Sequence, residues 1–295
     1  MNEFSRYHPA VNFLYFASVI LFAMFLMHPV CLAIGLINSF AYSVATGGKK
    51  AVKFNFAFIL PMAIGSVLLN AAFNHQGMTI LAYLPSGNPL TLESIVYGFA
   101  AAIMIMTVIF WFSCHNKIMT GDKFVYLFGR LVPSLSLILS MVLRFVPRFK
   151  EQMRVVNKAQ KGIGRSVRNG NLIRRAENGM GIFSAVVTWA LENSIETADS
   201  MKSRGFGRGA RTAYSIYKAG KSDVAAFVWM LFLTFYIAVG AGIGSLHYVY
   251  YPKMLPLTVD GYEISLFVAY FLLCFTPIAI EIKEVAVWKY LRSKI

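Results

Sequence analysis

The chain has 295 residues, of which 57% are hydrophobic and only 14% are charged, and its formal net charge is +15 at pH 7. Soluble domains carry about 25% charged residues, so this composition excludes an ordinary soluble protein and indicates an all-α integral membrane protein. We expect the bilayer and other proteins, and no nucleic acid, as partners.

Six apolar segments are long enough to cross a membrane, since a crossing helix needs about 20 mostly apolar residues. They are residues 11–27, 30–46, 54–72, 92–114, 224–246 and 263–281. The first four predict an N-terminal membrane bundle, 1–123, and the last two a C-terminal membrane hairpin with a basic tail, 222–295. Between them, 124–221 is predicted to hold a helix at the membrane surface and two basic cytoplasmic helices.

The distribution of lysine and arginine predicts the orientation, because short cytoplasmic loops are enriched in both. Loop 47–53 contains three lysines and loop 115–123 contains two, whereas loop 73–91 contains neither Lys nor Arg. The tail after residue 281 is also basic. We therefore expect cytoplasmic N- and C-termini in a multi-pass protein of a prokaryotic plasma membrane.

Segment 124–143 is apolar enough for a seventh crossing, but a seventh crossing would place the basic residues that follow it outside the cell. Arg130 and Pro133 also weaken it as a simple span. We expect this segment to lie at the membrane surface, or to enter the membrane and return.

Polar residues that perform chemistry are not apparent in the apolar segments. Cys31, Cys114 and Cys274 are far apart and suit small packing positions, and the five histidines occur singly. Gly220-Lys221-Ser222 imitates the end of a phosphate-binding loop, but the opening glycine is replaced by Ser215. The sequence predicts no enzyme activity, no metal site and no cofactor bound by this chain.

A basic block at residues 144–221 interrupts the apolar pattern. It holds 16 of the 28 Lys and Arg and five of the 13 acidic residues, a net charge of +11 out of +15. Residue spacing predicts two amphipathic helices in it, over about 144–168 and 178–204. Their apolar stripes include Phe145, Phe149, Met153 and Val156 on the first helix, and Phe183, Val187, Leu191 and Ile195 on the second. Binding of both helices to anionic lipid is an alternative explanation.

Both predicted helices finish on an arginine between two small residues. These tripeptides are Gly164-Arg165-Ser166 and Ser203-Arg204-Gly205. Small flanking residues allow another backbone to approach, and a guanidinium can pair with a partner carboxylate in two parallel hydrogen bonds. An arginine followed by glycine is also an ordinary helix end, so a plain structural role stays open for each.

Five further stretches are distinctive: Leu143-Arg144-Phe145-Val146-Pro147-Arg148, Ala159-Gln160-Lys161, residues 196–207 (ETADSMKSRGFG), residues 81–85 (LAYLP) and residues 87–94 (GNPLTLES). Together they resemble the T component of energy-coupling factor (ECF) transporters, the transmembrane coupling protein. The resemblance covers most of the chain.

The resemblance implies a function and partners. It implies an L-shaped protein of about six transmembrane helices with long amphipathic coupling helices, serving an importer of vitamins or metals. Arginine signatures would dock into two ABC-type ATPases, which use the ATP; they fall on Arg165 and Arg204 with their neighbours, with Lys161 as the alternative to Arg165. The apolar stripes would contact a small substrate-binding (S) subunit. A stand-alone solute-binding permease or carrier is the alternative function.

Overall fold

The computed structural model describes residues 3–83, 89–129, 133–165, 171–207, 217–254, 256 and 260–292. These form two compact units, one from residues 1–120 and 217–295 (the membrane unit) and one from residues 121–216 (the helical arm). Of the residues singled out above, Arg130, Ser166, Ser215 and residues 84, 85, 87 and 88 lie outside the described part.

In the described part of the membrane unit, the regular secondary structure is helical apart from one short hairpin. After a 3-10 turn at Glu3–Arg6, its elements are α1 (Pro9–Phe25), α2 (Pro29–Phe73), β1 (Ile80–Tyr83), β2 (Pro89–Thr91), α3 (Leu92–Ile118), α7 (Lys221–Ile243) and α8 (Gly261–Arg292). The helical arm contains α4 (Gly121–Gly129), α5 (Pro133–Gly162) and α6 (Leu172–Ser203). Among the described helices, α2, α3, α7 and α8 are long and apolar enough to cross a membrane, while α1 has 17 residues.

Helix α2 folds back on itself. Gly48 has φ 58° and ψ −150°, a conformation that breaks the helix. The Ser43 hydroxyl donates to the Asn55 side-chain oxygen at 3.3 Å, and the rings of Phe40 and Phe56 lie 5.7 Å apart. Twelve residues of straight helix would separate Ser43 from Asn55 by about 18 Å. The predicted segments 30–46 and 54–72 are therefore the two arms of one helical hairpin.

Histidine–proline pairs start α1 and the first arm of α2. In each case the histidine Nδ1 accepts a hydrogen bond from the backbone N–H two residues later, at 3.3 Å, for His8 and for His28. Proline follows at the first helical position, where no N–H is required. These two histidines are helix caps, which explains why they occur at the ends of apolar segments.

Contacts between helix ends show that successive helices of the membrane unit alternate in direction. At one end, the His8 N–H donates to Asp223 at 3.0 Å, so α1 and α7 start side by side. At the other end, Tyr250 donates to the Met27 carbonyl at 2.8 Å and Asn74 donates to the Tyr251 hydroxyl at 2.9 Å. The segments after α1, α2 and α7 therefore meet at that second end.

Large aromatic side chains fill the centre of the membrane unit. Tyr15, Phe16, Tyr42 and Trp111 are at most 1% exposed, and the rings of Tyr15 and Trp111 meet edge to face at 5.7 Å. The three cysteines are buried in the same core, as their isolated positions in apolar segments predict. This packing gives the membrane unit a core of its own.

The predicted outer loop 73–91 contains an antiparallel hairpin that the sequence analysis did not foresee. Strand β1 pairs with β2, and α3 begins directly after it. The buried Glu93 carboxylate accepts hydrogen bonds from the Thr79 hydroxyl at 2.8 Å and from the Thr79 N–H at 3.2 Å. Glu93 therefore holds the hairpin against the start of α3.

The helices of the arm differ in extent from their predicted bounds. Helix α5 already starts at Pro133, so about half of the apolar segment 124–143 and most of the helix predicted at 144–168 form one 30-residue helix. It ends at Gly162 rather than near residue 168. Helix α6 starts at Leu172, earlier than predicted, and ends at Ser203.

Candidate docking surfaces on the helical arm

The end of α6 is a glycine-terminated cap. Gly205 has φ +80°, the left-handed conformation that only glycine adopts at little cost. Its N–H donates to the Lys202 carbonyl at 2.9 Å, and the Phe206 N–H reaches back to the Met201 carbonyl at 3.0 Å. These two bonds define a Schellman motif. Arg204 is the cap residue, directly before the left-handed glycine, and is exposed.

The end of α5 is built in the same way around Gly164, which has φ +79°. The Gly164 N–H donates to the Lys161 carbonyl at 3.2 Å, and the Arg165 N–H donates to the Gln160 carbonyl at 2.9 Å. The cap residue here is Ile163, and Arg165 follows the glycine. Both Gly164 and Arg165 are exposed.

The two predicted arginines therefore occupy different positions in the same type of C-terminal cap. Arg204 precedes its left-handed glycine, whereas Arg165 follows its own. Lys161, the alternative to Arg165, corresponds to Lys202, since the backbone carbonyl of each lysine accepts a hydrogen bond from the glycine N–H. The two arginines look alike in the sequence, but their positions relative to the left-handed glycine are not equivalent.

Helices α5 and α6 pack through aromatic side chains. The rings of Phe149 and Trp189 meet edge to face at 5.9 Å, and Phe145 stacks on Phe149 at a centroid distance of 5.9 Å. Ile182 and Val186 of α6 are buried. Phe145, Phe149 and Val156, predicted as subunit-contact residues, are half-buried, so α5 uses much of its apolar stripe inside the arm.

The predicted stripe of α6 is exposed instead. Its four residues are between 38% and 63% exposed, and they recur every four positions on one face: Phe183, Val187, Leu191 and Ile195. Met180, which sequence analysis did not include, extends the row toward the start of the helix and is 71% exposed. Met153 of α5 is also exposed. An apolar row of this length on a helix with charged neighbours is typical of an interaction surface.

Charged groups on the arm stay mostly in contact with solvent. The Arg154–Glu151 pair, at 3.2 Å, has both side chains more than half exposed and contributes little stability. Lys123 is an exception, because it is buried and its burial lowers the pKa of its ammonium group. Lys123 is thus a poor candidate for contact with lipid headgroups.

Comparison with known sequences relates the chain to membrane transport proteins. Residues 1–214 match the sequence model of the CbiQ family, described as "Cobalt transport protein". The "Energy-coupling factor transporter transmembrane protein EcfT" of Lactobacillus helveticus is 33% identical over 104 residues, which are 35% of this chain and 37% of that protein. The protein of the same name from Leuconostoc gelidum subsp. gasicomitatum is 34% identical over 104 residues, 35% of this chain and 39% of that relative. The chain thus matches well under half the length of these relatives.

Proposed function

The chain belongs to the CbiQ family, and we propose that it is the transmembrane coupling subunit of an ECF-type importer. In this proposal, two cytoplasmic ABC-type ATPases bind the C-terminal ends of α5 and α6, which we call the tips. A small S subunit binds the apolar row of α6. The imported substrate is a vitamin or a metal, and the chain itself carries out no catalysis and binds no ATP.

The observation that carries the proposal is that α6 exposes an arginine at its C-terminal end and an apolar row on the face that leads to it. One end presents Arg204 on a rigid glycine cap, and the face leading to it presents Phe183, Val187, Leu191 and Ile195. Between Ile195 and Arg204 the backbone is uninterrupted helix. A push on the tip is therefore transmitted along the helix to the apolar row.

In this proposal, movement of α5 and α6 couples ATP hydrolysis to transport. ATP binding brings the two ATPases together. The surfaces of the ATPases that bind the C-terminal ends of α5 and α6 then move those ends with them. The apolar row then moves against the S subunit, which reorients and releases substrate inward. An apolar row needs few matched hydrogen bonds, so one coupling subunit can accept exchangeable S subunits.

The alternating helices of the membrane unit support six crossings, with two of them contributed by the arms of α2. In this arrangement the N-terminus, the Gly48 turn with its three lysines, and the basic tail all lie on one side. Lysine and arginine favour the cytoplasmic side. We propose that both termini and the helical arm face the cytoplasm of a prokaryotic cell.

The experiment that tests the proposal reverses the charge of Arg204. A tagged chain carrying Arg204→Glu, purified in mild detergent, is expected to lose its ATPase subunits, because removing one member of a desolvated ion pair costs about 2 to 5 kcal/mol. Arg174→Glu is the matched control, since Arg174 is an exposed arginine at the opposite end of the same helix. Subunits are identified and quantified by mass spectrometry.

Full retention of the ATPases by an Arg165→Glu/Arg204→Glu double variant would contradict the docking assignment. The alternative, a stand-alone permease or carrier, makes a different prediction: the isolated chain binds solute by itself. We expect the purified chain to bind no vitamin or cobalt ion by calorimetry unless an S subunit is present.

A further inference from the structure

An apolar groove runs along the α7–α8 pair of the membrane unit. Its volume is about 240 Å³, and its lining includes Trp229 of α7 and Leu272, Thr276 and Ala279 of α8. On α8 the groove extends from Leu272 to Lys283, which is about 17 Å of helix. One leaflet of the hydrocarbon core is about 15 Å thick, half of the whole. The groove is therefore about as long as one leaflet is deep.

A lysine from each helix lies at one end of this groove. The helices are antiparallel neighbours, and the Tyr236 and Ser265 hydroxyl oxygens are 2.7 Å apart. Fifteen residues before Tyr236 is Lys221, the first residue of α7, and fifteen residues after Ser265 is Ile280. Lys221 is thus level with Ile280, which is three residues, or about 4.5 Å of helix, from Lys283.

The acidic residues beside these two lysines are directed toward the start of the chain. Asp223 accepts a hydrogen bond from the His8 N–H at 3.0 Å. Glu284 interacts electrostatically with Arg6, in the turn before α1. The two lysines are exposed, and the salt bridges found among the described residues include neither of them. Two uncompensated ammonium groups therefore stand at the end of an apolar groove.

This combination specifies the chemistry of a ligand. The groove needs an apolar chain about as long as one leaflet, and the lysines need a negative charge where that chain ends. A soluble anion would leave the groove uncovered, and a lipid without net charge would leave the lysines uncompensated. Lysines beside transmembrane helices attract anionic lipid headgroups. A phospholipid of net negative charge meets both requirements.

We propose that the α7–α8 groove binds one anionic phospholipid. Its acyl chain lies along Trp229 and Leu272, and its phosphate lies between Lys221 and Lys283. The site belongs to the leaflet on the side of the N-terminus, which is the cytoplasmic leaflet in the orientation proposed above. It uses no residue of the helical arm, so it is separate from the proposed ATPase and S-subunit surfaces.

Native mass spectrometry of the whole chain tests the proposal. The chain is reconstituted with equal amounts of phosphatidylglycerol and phosphatidylethanolamine, extracted in mild detergent, and its retained lipids are counted. We expect the wild type to retain phosphatidylglycerol in excess, and Lys221→Gln/Lys283→Gln to retain about tenfold less of it, because both headgroup contacts are lost. Lys49→Gln/Lys50→Gln is the matched control, since it removes two exposed lysines from the same side of the membrane unit. This control should retain the lipid.

Three outcomes of that experiment would overturn the proposal. Equal retention of the two lipids by the wild type would mean that the groove has no preference for charge. Unchanged retention by Lys221→Gln/Lys283→Gln would mean that these lysines do not hold the headgroup. An equal loss in the control would mean that total charge, and not this site, retains the lipid.

Trp229 offers an independent measurement inside the groove. Bromine atoms on an acyl chain quench the fluorescence of a nearby indole, and the difference between wild type and Trp229→Phe isolates the signal of Trp229. We expect brominated phosphatidylglycerol to quench this signal more than brominated phosphatidylethanolamine. The excess should disappear in Lys221→Gln/Lys283→Gln, and also in Ala279→Phe, which fills the groove and keeps both lysines. An excess that persists in either variant, or equal quenching by the two lipids, would overturn the proposal.

Discussion

The membrane unit and the helical arm are both rich in apolar side chains, but they use them differently. In the membrane unit, large aromatic residues such as Tyr15 and Trp111 are fully buried against one another. In the described part of the arm, the buried apolar residues are Ile182 and Val186, while the row from Phe183 to Ile195 is exposed. The difference indicates that the first unit is stabilised by its own packing, whereas the second leaves an apolar row uncovered, as the proposed function requires.

This comparison explains why similar residues have different consequences. An apolar side chain in the core of the membrane unit contributes to folding, whereas one in the row on α6 would, under the proposed function, contribute to assembly. A substitution in the core of the membrane unit should therefore change stability. A comparable substitution in the row on α6 should change the binding of the proposed S subunit and leave stability intact.

The largest effect is expected when charge enters the row on α6. A Leu191→Asp/Ile195→Asp variant places unpaired carboxylates in the proposed S-subunit interface, and we expect co-purification of that subunit to fall about a hundredfold or more. ATPase binding at the tips should persist. Ser200→Asp adds one negative charge one turn after the row and serves as control for the single variant Ile195→Asp. Equal loss of the S subunit in the control would show that added charge, not the row, is responsible.

A second prediction contrasts the two units directly. Trp111→Ala removes a fully buried indole from the membrane unit and should destabilise the protein by about 3 to 5 kcal/mol. Phe183→Ala, at a 58% exposed position on α6, should change stability by no more than about 0.5 kcal/mol. Denaturant unfolding of the isolated chain in detergent measures both. Comparable destabilisation by Phe183→Ala would show that the row is part of a core.

A smaller effect is expected at a close helix crossing in the membrane unit. A Cβ atom on Gly98 would lie 2.9 Å from the Val67 Cα and 3.3 Å from the Ser66 carbonyl oxygen. Gly98→Ala should therefore force α3 away from the second arm of α2, at a cost of about 1 to 3 kcal/mol.

Gly65→Ala is the matched control, because a Cβ atom there meets nothing within 4 Å and alanine is the better helix former. It should leave the unfolding midpoint unchanged or raise it. If both variants unfold at the same denaturant concentration, the close approach at Gly98 has no energetic weight.

Much of the fold follows from local pattern in the sequence. The apolar segments predict the helices of the membrane unit. The loop predicted at 47–53 contains Gly48, where the two arms of α2 meet. Helix ends are harder, because they depend on which glycine takes the left-handed conformation. Gly162 and Gly164 are both available, and the selection of Gly164 makes Ile163 the cap residue. The sequence therefore suggested two like arginine signatures, although Arg165 and Arg204 lie on opposite sides of their glycines.

Other features depend on contacts between distant residues. The β1–β2 hairpin needs the Glu93 carboxylate at the start of α3, and nothing in residues 73–91 alone predicts it. The half-buried state of Phe149 depends on Trp189 of α6, against which its ring packs. Met180 was within reach of sequence analysis, since it lies three positions before Phe183 and continues the same face.

The central claim is tested most directly by two properties of the C-terminal end of α6. These are the side of the membrane on which it lies and its coverage by bound ATPases. A Ser203→Cys chain is treated with a membrane-impermeant maleimide in intact cells and in inside-out vesicles, with and without bound ATPases. We predict labelling only in inside-out vesicles, and strong protection while the ATPases are bound. Labelling in intact cells, or equal labelling with and without the ATPases, would contradict the account.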